Sequence, residues 1–242
     1  MSAFSQKILP AILIAAGVGV SGWFVGQGLE SFRQAERFIT IKGLAEQDVK
    51  SDFAIWTLSF RRAGSEYQDV RQALADDRQA VVGFLESKGF TAEEIEPRSM
   101  RITDLLAREY GQQDVALRYT GEGAVVVRSS RVDLVESVAS NIDPLIEQGI
   151  PMSQDGMMGG APRFFLRGFN EVKPLLLEQA VNNAREQAQK FATDAGASLG
   201  RLRRADQGII RILDDDGSDG FSSGMTIGKR LRVVSTFEYL LK

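Results

Sequence analysis

The chain has 242 residues, 43% of them hydrophobic and 25% charged, with 29 basic against 32 acidic side chains and neither cysteine nor histidine. Without those two residue types, disulfides, thiol catalysis, iron–sulfur clusters, thiolate zinc sites and histidine general bases are excluded. A formal net charge of −3 gives no overall attraction to phosphate backbones, so nucleic acid is not an expected partner.

The first element is an uncharged run from Ile8 to Leu29, bounded by Lys7 and Glu30. A helix rising about 1.5 Å per residue needs roughly 20 apolar residues to cross a hydrocarbon core of about 30 Å, so the run is long enough to span a bilayer. A cleaved secretory signal is the alternative. Val20 and Gly22 fit the small-residue rule of a cut site poorly, whereas Trp23 and Phe24 suit an interfacial aromatic belt. Residues 1–30 are therefore expected to be an anchor or signal segment, with the lipid bilayer contacted through residues 8–29, and residues 31–242 a folded domain. Glycines at 19, 22 and 26 leave one smooth helical face able to pack against another helix. Lys7 on one side against Arg33 and Arg37 on the other leaves the orientation even by charge.

After a polar hinge at 31–37, two strands are expected at 37–46 and 52–63, the second placing Ala54, Trp56, Leu58 and Phe60 on one side of its pleat. An amphipathic helix follows over 65–88, carrying Tyr67, Val70, Leu74, Val81, Phe84 and Leu85, with Gly89 as its C′ residue. A strand at 96–106 leads to an alternating one with Val115, Leu117, Tyr119, Val125 and Val127 on one face, and then to a helix at 131–148. Residues 149–161 read as a glycine- and methionine-rich loop. A short strand precedes the longest helix, 170–195, whose expected seam is Leu177, Ala180, Val181, Ala184, Ala188, Phe191 and Ala192. Strands at 203–213 and 228–241 end the chain, the last with Leu231, Val233, Phe237, Tyr239 and Leu241 on one face.

The resulting fold class is α+β: mostly antiparallel sheet with long amphipathic helices packed on one face, in the order ββαββα-βαββ, preceded by one N-terminal transmembrane helix. Lobes at 37–148 and 162–242 are one way to divide it.

No catalytic, cofactor-binding or metal residue is assigned. Asp214 to Gly220 (DDDGSDG) resembles the start of a calcium loop, but counting to position twelve from Asp214 or Asp215 reaches Met225 or Thr226 rather than the required glutamate. A solvated hairpin tip is the expectation. Met152, Met157 and Met158 are soft donors for Cu(I) in one loop, yet no histidine or cysteine completes the set. Gly121 and Gly123 lie inside a strand rather than opening a helix, so they mark a bulge or the close approach of another backbone, not a phosphate cradle. Glu93 and Glu94 read as surface carboxylates. The arginines of 200–208 read as an exposed strand edge able to meet anionic headgroups.

Four blocks taken together resemble the SIMPL-domain family, which includes periplasmic immunogenic proteins and a group linked to oxidative-stress defence. They are ITIKGLAEQDVKSDFAIW (39–56), the alternating strand with Tyr119, the helical block 175–202, and RLRVVSTFEYLL (230–241). The opening strand departs from the family in reading Lys42-Gly43-Leu44 where many members carry a glycine–glutamate–glycine turn. The resemblance implies export, with a single pass through the inner membrane and the C-terminal domain in the periplasm, or a soluble periplasmic form after cleavage. It also implies no established catalytic site and self-assembly into large rings. The expected function is a non-enzymatic, membrane-anchored homo-oligomeric scaffold or channel-like assembly that contributes to envelope or oxidative-stress tolerance. The alternative is a binding module for a small ligand, a metal or a lipid headgroup.

Overall fold

In the computed structural model, the described residues are 16–27, 37–107, 116–153, 160–217 and 224–242. Residues 16–27 form helix α1, and among the described residues no helix is long and apolar enough to cross a membrane. The uncharged run extends beyond α1 on both sides, into residues 8–15 and 28–29, which lie outside the described residues. The chain divides into two compact units, one of Met1–Glu46, Leu175–Ile210 and Arg232–Lys242, the other of Gln47–Pro174 and Arg211–Leu231.

The second unit is built on strand β2 (Phe53–Gly64). It pairs antiparallel with β5 (Tyr119–Ser129) without interruption, from Ala54 opposite Ser129 to Gly64 opposite Tyr119. Short strands β3 (Ile95–Pro97) and β4 (Arg101–Asp104) pair with β5, and β6 (Met152–Ser153) and β7 (Arg163–Phe165) pair with β2, giving an antiparallel sheet of six strands. The period-two pattern puts Ala54, Trp56, Leu58 and Phe60 inward, where all four are buried against helix α2 (Tyr67–Ser87) and its neighbours. Side chains the size of Leu58 and Phe60 contribute about 1.5–3 kcal/mol each on burial. As its sequence position predicts, Gly89 (φ +91°) follows the end of α2, and the next amide, Phe90 N–H, returns to the Leu85 carbonyl at 3.1 Å.

Three expected elements are divided. The helix read at 131–148 is two, α3 (Val132–Ala139) and α4 (Asp143–Glu147). Pro144 lacks an N–H and its ring crowds the carbonyl four residues back, so it opens α4 instead of continuing α3. The strand at 96–106 is β3 and β4, parted after Pro97. The strand at 203–213 is β8 (Leu199–Asp206) and β9 (Ile210–Asp214). Gly208 sits in the break, where an added Cβ would stand 1.8 Å from the Val234 carbonyl oxygen, and no residue but glycine fits.

The first unit contains most of β1 (Phe38–Lys50), β8 and β10 (Gly228–Leu241), in a sheet of order β1-β10-β8 with β9 also beside β10. Helix α5 (Phe169–Asp194) supplies its apolar layer. The expected seam is displaced: Leu176, Ala180, Ala184, Ala188 and Ala192 are fully buried, while Val181 and Phe191 are exposed. The reason is Gly43 of β1. A Cβ there would lie 2.1 Å from the Ala180 carbonyl oxygen and 2.9 Å from the Ala184 Cβ, so helix and strand meet backbone to backbone and only the alanine ridge fits. Asn183 reinforces the contact by accepting the Leu44 amide at 3.1 Å.

Candidate functional site

Strand β10 points residues 229, 231, 233, 235, 237 and 239 inward, all buried, and this alternation carries the lysine ammonium of Lys229 into the interior. A buried charge needs a partner. Asp214, at the end of β9, provides it: the two side chains form an ion pair, Lys229 being 3% exposed and Asp214 1%. The same carboxylate accepts the amides of Gly224 (3.0 Å), Met225 (2.8 Å) and Thr226 (3.3 Å). Burial opposes its ionisation, but Lys229 and the amides outweigh that and hold its pKa below the ordinary carboxylate value. The expectation of a solvated hairpin tip is thus corrected for its first residue, because Asp214 is a buried clamp. Asp215 and Asp216 are exposed, and residues 218–220 lie outside the described residues. Among the described residues, no three acidic side chains gather as a metal site.

Glu93 is exposed, but Glu94 organises a corner. Its carboxylate accepts the Ser129 hydroxyl at 2.5 Å and the Thr91 amide at 2.9 Å, and it pairs with Arg131. Burial raises its pKa, and the bonds from Arg131, Ser129 and Thr91 reverse that, bringing it to about 2. A general acid needs the opposite shift. Glu94 acts as a structural anion tying the chain before β3 to the end of β5.

A second organised charge escaped the reading of the sequence. Arg62 continues the inward register of β2, and Asp77 lies within the buried stripe of α2. They form a bidentate pair, 2.7 Å at each nitrogen, and Arg62 also reaches the carbonyl of Gly149 (φ +75°) at 3.0 Å. The available signal was an arginine and an aspartate each falling on an otherwise apolar face.

Gly121 and Gly123 are close-approach glycines, but side chains approach them rather than backbone. A Cβ at Gly121 would meet Leu74 Cδ1 at 2.5 Å, and one at Gly123 the Phe60 ring at 2.3 Å.

Of the methionines, Met152 lies in β6, half-buried, while Met157 and Met158 fall outside the described residues. Beside β6 is a cavity of about 320 Å³, walled by Trp56, Leu58, Ile142, Ile146, Ile150 and Met152. The indole N–H of Trp56 donates to the Gly160 carbonyl at 3.0 Å. The arginine run lies on β8 as an exposed strand: Arg203 stacks on the Phe38 ring at 4.6 Å and Arg204 pairs with Asp206 at 2.9 Å.

Residues 39–226, 188 of the 242 in the chain, match the family model SIMPL, described as a protein of unknown function (DUF541). Among curated proteins, none matches the chain significantly.

Proposed function

This chain belongs to the SIMPL family, and from that premise we propose that it is a non-enzymatic cell-envelope protein, tethered to the inner membrane through residues 8–29, with its folded body in the periplasm, where copies join into a ring-like scaffold. The stress-tolerance role that the family resemblance implies would follow from that scaffold.

The supporting observation is the open sheet of order β1-β10-β8, in which β1 and β8 are the end strands among the described residues. An end strand presents backbone donors and acceptors to another chain. Joining β8 to β8 antiparallel is unfavourable, because registers centred on Leu202 or Arg203, or between them, set arginine against arginine: 201 with 203, 201 with 204, or 203 with itself. Residues 38–48 of β1 carry a single cation, Lys42, so β8 of one copy suits β1 of the next. Such a head-to-tail contact uses two different surfaces and generates rings when the rotation closes. The alanine ridge of α5 is excluded as the contact, since it is buried inside its own unit.

Light scattering of the detergent-solubilised full chain at micromolar concentration tests the reading. A protein mass several times 26.6 kDa is expected, reduced by Arg201→Pro in β8. A strictly monomeric species overturns it.

A further inference from the structure

The six-stranded sheet of the second unit turns Ala54, Trp56, Leu58 and Phe60 toward α2, α3 and α4, whose apolar residues share their core. Register fixes what the other face carries. Ile55 stands opposite Arg128 and Arg163, while Arg61 and Arg101 stand opposite Glu122. Glu96, opposite Val126, pairs with Arg98 and Arg128. Among the described residues this outward face therefore holds five arginines and two glutamates, and Arg61, Arg98 and Arg128 remain exposed although each is paired. The α3–α4 side has the opposite sign: residues 132–148 include Asp133, Glu136, Asp143 and Glu147, all exposed, and neither lysine nor arginine. A chain of net charge −3 thus contains one unit polarised across its sheet.

We infer that the arginine-bearing face of this sheet docks on a bilayer containing anionic phospholipid. The inference rests on the membrane tether of the proposed function. Arginine suits the ligand because its planar guanidinium matches phosphate oxygens in pairs. Spacing suits a surface rather than a single anion: from the row of Ile55 to that of Arg61 is about 20 Å along the strand, and the arginines are spread over neighbouring strands about 4.8 Å apart. Polarity sets the orientation, because the acidic α3–α4 side is repelled by the same surface that attracts the sheet. A second copy, offering its acidic side, is the rival occupant. The bilayer is favoured because helix α1, with Val18, Val20, Trp23, Phe24 and Val25 all exposed, gives the same chain an apolar segment suited to lipid.

The test uses the full chain in lipid nanodiscs made of phosphatidylcholine, or of an equimolar mixture with phosphatidylglycerol, each with a trace of lipid bearing a nitroxide on its headgroup. The chain has no cysteine, so Ala63→Cys on the outward face of β2, or Gln79→Cys on the exposed side of α2, accepts a single bimane label. Quenching of the label at 63 is expected to be about twofold or more stronger in the anionic discs than in the neutral ones, while the label at 79 shows no difference. Raising the salt from about 0.1 to 1 M, which shortens the Debye length from about 10 to 3 Å, should abolish the contrast. Each arginine adds about fivefold to the affinity for an anionic surface, so Arg98→Gln, Arg101→Gln and Arg128→Gln together should weaken docking by about a hundredfold and return the quenching to its neutral-disc level without a change in melting. Equal quenching in the two kinds of disc, a contrast that survives high salt, or one that survives the triple substitution in a folded chain would each overturn the inference. So would salt-sensitive self-association that the triple substitution removes while the label at 63 stays unquenched, which would assign the face to a second copy. The lipid and salt contrasts need no arginine variant and decide the matter even where that chain fails to fold. Co-elution with neutral discs reports the tether separately, so loss of the tether and loss of docking are different results.

Discussion

Gly123 of β5 stands directly opposite Phe60 of β2, and a Cβ built on that glycine would lie 2.3 Å from the phenyl ring. Phe60 is fully buried and occupies the space that a side chain at 123 would take. The aromatic ring and the bare backbone are therefore one packing unit shared by two strands.

Gly123→Ala is expected to destabilise the fold by about 2–3 kcal/mol, the cost of overpacking where neighbours cannot withdraw. Phe60→Leu alone leaves a cavity, but in the double variant the smaller side chain admits the new methyl group and recovers part of the loss. Urea titration of the four chains reads this coupling. Additive effects would show that the ring and the glycine are independent.

Gly43→Ala is expected to cost at least about 3 kcal/mol, because the obstacle is the Ala180 carbonyl oxygen at 2.1 Å, a backbone atom that no change of rotamer removes. Ala184→Gly should therefore fail to rescue it. Asn183→Ala, which removes the acceptor for the Leu44 amide, should cost about 1 kcal/mol. Far-UV circular dichroism during denaturation, with hydrogen exchange over α5, distinguishes local detachment of the helix from global unfolding.

Lys229→Met should destabilise by about 3–5 kcal/mol, since it leaves the buried Asp214 carboxylate without its cation. Combining it with Asp214→Asn removes the orphaned charge while keeping an oxygen for the amides of residues 224–226, so the double variant should be more stable than Lys229→Met alone. A double-mutant cycle measures the coupling, and a value near zero would contradict the buried pair.

Glu94 predicts a pH dependence with a defined sign. Its folded pKa is depressed from 4.5 to about 2, so its stabilisation is complete above about pH 4.5 and is lost as pH falls through about 2. Because Arg131 is partly exposed and the pair is screened by solvent, the loss is on the order of 1–2 kcal/mol. Glu94→Gln should be less stable at pH 6 and show a shallower decline between pH 4.5 and 2. Equal slopes in the two chains would remove Glu94 from this role.

Periodicity carried much of the fold. Alternation over 54–60 placed four inward residues of β2 correctly, and helical spacing did the same for Val70, Leu74, Val81, Phe84 and Leu85 of α2. On α5 it placed Ala180, Ala184, Ala188 and Ala192 correctly but added Val181 and Phe191, which are exposed: with Leu177 they lie close beside the alanine ridge and leave two overlapping faces to choose from. Gly43, more than 130 residues away in sequence, made the choice.

The candidate sites were less legible. Asp214 belongs to a run of acids that reads as solvated, and only the adjacent β10 strand, bringing an inward lysine to it, makes it a buried clamp. Arg62 and Asp77 showed their anomaly in pattern but not their partnership. The cavity at Trp56 depends on how β6 and β7 register on β2, which no local pattern records.

By itself the sequence determined the residue chemistries available, the kinds of element and, for most strands, which face turns inward, because those properties depend on the repeat of a helix or a pleat over a few neighbouring residues. Tertiary structure alone decided which charge meets which, which of two helical faces is covered and where space is left unfilled. These depend on segments far apart in the chain coming together, and their packing and desolvation energies exist only once both sides are in place.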